Sequence, residues 1–130
     1  MKVYLSAIKK YAVFKGRTSR RDYWIFTLIH FLISFIMLMT FSVFGLEYLS
    51  ILFVLYILFS FLPTISITVR RLHDIGKSGY FILVLLIPYI GIFWIFLLTI
   101  ISGNEGENKY GYDPKKPFSE LDQIGVAVDY

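Results

Sequence analysis

The chain contains no cysteine, so disulfides and thiolate metal centres are excluded. Charge is also scarce, since Asp, Glu, Lys and Arg make up 17% of 130 residues, against roughly 25% in soluble domains. Histidine occurs only twice, as His30 and His73. No carboxylate falls inside a long apolar run, because Glu47 lies at a turn. A proton-coupled exporter needs an acidic group within its spans, so that class loses support.

Apolar residues are what the chain has. They make up 57% of it, with 19% aromatic and a mean hydropathy of +0.67. A soluble fold of this size cannot bury that much apolar surface, which points to a membrane protein. The net charge of +4 is unevenly placed. Basic residues cluster at Lys2 to Arg21 and Arg70 to Lys77, and most carboxylates follow Gly103. Such a pattern suits anionic lipid headgroups and argues against nucleic acid.

The order of segments predicts an all-α membrane protein. Lys2 to Phe14 carries Val3, Tyr4, Ala7, Ile8, Tyr11 and Phe14 on one helical stripe, as expected of an amphipathic helix lying in the interface; packing against other protein is the rival. The stretch is not a signal peptide, since it lacks a continuous apolar core. Ser19 is placed to cap a helix, with Asp22 three residues on. Three apolar runs follow, at about 23–44, 48–69 and 80–101, each long enough to cross a core roughly 30 Å thick. Pro63 and Pro88 are expected to kink these helices rather than break them. A third segment that re-enters at Pro88 to Gly91 is the rival topology. One membrane domain over 1–116 results, with a polar, turn-rich tail and a C-terminal extension at 117–130.

Basic residues set the orientation. The N-terminal arm holds seven Lys or Arg, the first loop none, the second loop three and the tail three. With three spans this bias places the N-terminus in the cytoplasm and the C-terminus outside.

The densest chemistry lies in Arg70-Arg71-Leu72-His73-Asp74-Ile75-Gly76-Lys77-Ser78-Gly79. If the second helix continues to Asp74, Arg70 and Arg71 pair with that carboxylate at helical spacing, and Gly76 closes the helix. Arg70, Arg71 and Lys77, with Arg17, Arg20 and Arg21, are candidates for contact with anionic lipid or a partner protein. His73 and His30 are candidate titrating groups. Gly76-Lys77-Ser78 is not a phosphate-binding loop, because Arg71 stands where that motif needs glycine. No metal or other cofactor is expected: the two histidines lie at different depths. Glu105, Glu107, Asn108 and Asp113 miss the spacing of a calcium loop and read as surface turn.

Three stretches in order resemble one family. Phe14 to Trp24 resembles its F-x-G-R-x-x-R-x-x-F/Y-W signature, and Arg70 to Gly79 its R-R-L-H-D-x-G-K/R-S-G. Gly106 to Pro114 resembles its G-x-N-x-Y-G-x-D/N-P. The family is DUF805, small inner-membrane proteins of bacteria and their phages with no settled activity. Tyr80 departs from the tryptophan common at that position. The resemblance implies a bacterial inner-membrane location. It also suggests that Asp22 and Asp74 pair with arginines of the other basic motif. The leading expectation for function is a non-enzymatic membrane component that contacts anionic lipids, other membrane proteins or further copies of itself. The alternatives are an oligomeric small-molecule or ion transporter, and an enzyme acting on lipid headgroups with His73 and Asp74 as acid and base.

Overall fold

A computed structural model describes residues 2–45 and 47–115; the extension at 117–130 lies outside the described residues. Helices dominate: α1 (Lys2–Lys9), α2 (Arg20–Phe44), α3 (Glu47–Asp74), a 3-10 helix (Gly79–Leu86) and α4 (Ile90–Ile100). No strand occurs among the described residues, and a single isolated bridge pairs Asn108 with Gly111. α2 and α3, at 25 and 28 residues, are long and apolar enough to cross a membrane. The chain divides into two compact units, one of Met1–Val13 with Arg21–Ile67, the other of Phe14–Arg20 with Thr68 onward.

In the first unit, α1 lies lengthwise on the long helices. Tyr4 and Ala7 pack with Phe26 and Ile67, and Tyr4 stacks on Phe26 at 5.2 Å. The Tyr4 hydroxyl meets that of Tyr56 at 2.9 Å. Just past the other end of α1, the Ser66 hydroxyl shares its one hydrogen between the carbonyls of Lys10 and Val13, at 3.1 and 2.7 Å. Tyr56 and Ser66 are ten residues apart on α3, or about 15 Å. α1 therefore runs along α3, and its buried side meets protein. Its Tyr4 side is spent on protein packing, while Tyr11 and Phe14 of the expected stripe stay exposed.

α3 passes through Pro63 without interruption. Nearby hydroxyls bond back along the helix, Ser60 Oγ to Ile57 O and Thr64 Oγ1 to Ser60 O. Its C-terminus closes in the second unit as a Schellman motif. Gly76 takes φ 75°, Lys77 N–H donates to Leu72 O and Gly76 N–H to His73 O. The chain needs the left-handed region there, and glycine enters it without steric cost.

The expected third span, at about 80–101, is not one continuous helix. Residues 79–101 form a hairpin of two short helices, of 8 and 11 residues, each about 16 Å long. Pro88 disfavours helix at the residue before it, and Ile87 is extended with ψ 110°. Tyr89 then reverses the chain at φ 61°. Gly91 lets the two arms touch, because a Cβ there would sit 2.0 Å from Val84 O. Both ends of the hairpin return to the end of α3. Gly79 packs against Val69 and His73, and the Asn104 N–H donates to Asp74 O at 2.8 Å. Leu72, Ile95 and Leu98 form the core beneath, flanked by Ile75 and Ile82.

Candidate functional site: an arginine–aspartate latch

Asp74, in the last turn of α3, is held from two sides. Arg17 directs Nε and Nη2 to Oδ1, each at 2.9 Å, and Arg71 pairs through Nη1 with Oδ2. All three side chains are sealed from solvent, at 1%, 0% and 1% exposure for Arg17, Arg71 and Asp74. Two cations on one carboxylate leave an excess positive charge, and backbone carbonyls absorb it. Arg71 donates to Thr99 O and Ile101 O at the end of α4. Arg17 donates to Asn104 O, Gly106 O, Gly111 O and Asp74 O. Carbonyls at helix C-termini carry partial negative charge, so each guanidinium sits where the macrodipole favours a cation. Gly103 makes the approach possible: a Cβ there would lie 2.0 Å from Asp74 Oδ2.

His73 adds a second tie between arm and tail. Its Nδ1 lies 3.2 Å from Gly16 O; a carbonyl only accepts, so this nitrogen carries the proton. The ring stacks on Tyr110 at 3.9 Å, tilted by 5°, and the His73 carbonyl accepts from Asn108 Nδ2 at 2.9 Å. Thr18 N–H donates to Arg70 O nearby. The tail turn is built by its own polar residues. Asn108 Oδ1 accepts from Tyr110 N–H, and Asp113 accepts from the N–H groups of Gly106 and Lys115. Burial alone raises the carboxyl pKa of Asp113. Those two N–H groups and the charges of Arg17 and Lys115 outweigh it and hold the group below the ordinary carboxylate range.

The arm, the end of α3 and the tail thus meet at one cluster. Sequence reasoning identified Arg17, Arg71, His73 and Asp74. It read Asn108 and Asp113 as surface turn and gave Asn104 and Tyr110 no role of their own. Their signal was present in the spacing of the third motif, but the residues that turn contacts were not legible. Of the residues expected to contact anionic lipid or a partner, Arg17 and Arg71 are turned inward, bonded within the chain. Arg20 is exposed with Nη1 3.3 Å from Ile100 O. Lys77 is exposed above the Phe81 ring at 5.7 Å. Arg21 is exposed, and Asp22 is half-buried in the first turn of α2. His30 belongs to the first unit, bonded to Tyr56.

Two long apolar helices, a broken apolar hairpin and a sealed polar latch define a small helical membrane protein. The chain belongs to the DUF805 family, described as proteins of unknown function, whose match covers residues 11–112. It is 43% identical over 117 residues to the inner membrane protein YhaI of Escherichia coli (strain K12), covering 88% of this chain and 97% of that one. Inner membrane protein YhaH of the same organism is 36% identical over 115 residues, covering 86% and 95%. The uncharacterized protein YiiR, also from that strain, is 33% identical over 126 residues, covering 77% and 84%. No solved structure matches the chain.

Proposed function

We propose that residues 1–116 form one membrane domain that crosses the bacterial inner membrane twice, through α2 and α3. Its hairpin enters the bilayer and returns, and its arm, α3 end and tail share the cytoplasmic side. One observation carries this reading: Arg17, which precedes the first span, binds both Asp74 after the second and the carbonyls of the tail. The charge bias then becomes complete. All thirteen Lys and Arg fall outside the runs at 23–44 and 48–69, and the Gly45 to Glu47 turn has none.

On this reading the protein is a non-enzymatic membrane component that contacts anionic lipid headgroups through Arg20, Arg21 and Lys77. Acid–base catalysis by the latch is disfavoured, because both Asp74 oxygens are in ion pairs and His73 Nδ1 is bonded to Gly16 O. Native mass spectrometry of protein released from vesicles of phosphatidylethanolamine, phosphatidylglycerol and cardiolipin tests it. Wild-type protein retains anionic lipid, and the triple variant Arg20→Gln, Arg21→Gln, Lys77→Gln loses it. Equal retention by both would overturn the lipid reading. A periplasmic signal from a reporter fused after Tyr130 would overturn the topology.

A further inference from the structure

His30 is an ionisable side chain ten residues into an apolar helix, and three elements meet at it. α2 carries it, Tyr56 of α3 holds its Nδ1 at 2.7 Å, and Tyr4 of α1 meets the Tyr56 hydroxyl at 2.9 Å. Its ring is near-parallel to Phe26, with centroids 6.1 Å apart, and tilted by 29° to Tyr56, at 5.3 Å. The titratable groups facing it are Tyr56 from α3 and Tyr4 from α1; on its own helix the neighbour is Phe26. Among the described residues His30 makes no other hydrogen bond.

We propose that this hydrogen-bonded chain is a proton-operated catch that holds α1 against α2 and α3. The proposal rests on the reading of those helices as membrane spans. A neutral imidazole lets Nδ1 accept. Tyr56 then donates to His30 and Tyr4 donates to Tyr56, so both hydroxyl hydrogens of the chain have acceptors, while Nε2–H has none in the chain in either protonation state. An imidazolium donates at both nitrogens. The Tyr56 hydrogen must then turn away from His30, to Tyr4 or to the buried Ser34 hydroxyl beside it, and no ion pair with a carboxylate offsets the new charge among the described residues. His30 lies seven residues, or about 10 Å, past Tyr23, where the apolar run begins, inside a core about 30 Å thick where water is scarce. The Phe26 and Tyr56 ring faces attract the cation and offset part of the cost, but they supply no acceptor. Withdrawal of α1 opens the site to water. Docking is therefore strongest with neutral His30, and it weakens as pH falls far enough to protonate the imidazole.

The natural absence of cysteine makes the test direct. Ala7→Cys places a thiol on the buried side of α1, and Leu5→Cys places one on its exposed side. Both are modified by a neutral maleimide in liposomes between pH 8 and pH 5. The ratio of the two rates removes the common effect of thiol ionisation. The expected ratio, Ala7→Cys over Leu5→Cys, rises by at most about tenfold per pH unit below the imidazole range. It stays flat when His30→Gln is added. A flat ratio with His30 present, or an equal rise with His30→Gln, overturns the catch. Should Ala7→Cys fail to fold, amide exchange of α1 relative to α4 in one sample reports the same opening without a new residue. Failure of the membrane reading is seen separately, as release of the protein into alkaline carbonate whatever residue stands at position 30.

Discussion

Arg17 and Asp74 are 57 residues apart in the chain, yet Arg17 Nε rests 2.9 Å from Asp74 Oδ1 with both side chains sealed from solvent. Arg71 takes the other oxygen. Removing the carboxylate charge leaves two buried guanidinium groups facing each other. Asp74→Asn is expected to cost roughly 3–5 kcal/mol, seen as a large fall in thermal midpoint in detergent. Adding Arg17→Gln to Asp74→Asn should cost less than the two single changes together, because the partners share one interaction. Additive losses would show that the pair is not coupled.

Gly103 has no room for a side chain beside Asp74 Oδ2. Gly103→Ala should push the tail off the latch and cost about 1–3 kcal/mol. Limited proteolysis within residues 104–113 should quicken along with the loss of stability. Unchanged cleavage would mean that the tail does not depend on this close approach.

Asp113 stabilises the tail turn as a carboxylate. Its pKa in the fold lies below the ordinary 3.8, because N–H donors and nearby cations outweigh the effect of burial. The sign follows from linkage: the contribution is full above the unfolded value and is lost as pH falls through the folded one. Amide protection at Gly106 and Lys115 should therefore decline below about pH 4. In Asp113→Asn, protection at those two amides should be weaker at neutral pH and nearly independent of pH. A decline of the same size in the variant would assign the titration to another group.

Tyr89 stands at φ 61° and ψ −54° with its side chain 88% exposed. The Ile90 N–H reaches back to Pro88 O at 2.6 Å, which makes a γ-turn that an L-residue enters at a cost. Tyr89→Gly removes that cost and little packing. It should raise the thermal midpoint by the equivalent of about 1 kcal/mol. A fall would show that the exposed phenol makes a stabilising contact of its own.

Composition and periodicity were enough to establish the helical membrane class and the positions of α2 and α3, which run to 25 and 28 residues, longer than the apolar runs themselves. They also marked the stop of α3 at Gly76 and the basic arm before the first span. Each is a local property, set by how apolar the run is, how long it is, and where glycine or a charge interrupts it. The third segment shows the limit. Its residues are as apolar as a span requires, but Pro88 and the Gly91–Val84 contact turn it back, and hydropathy cannot register a steric contact between two arms. The arm helix was ambiguous for a related reason. One apolar stripe fits a lipid surface or a protein groove, and only Tyr56 and Ser66 on α3 decide which. The same holds for the arginines. The sequence by itself determined that Arg17 and Arg71 carry charge near the membrane surface. Only the tertiary structure decided that they face inward, because the carboxylate and carbonyls that hold them come from segments far apart along the chain.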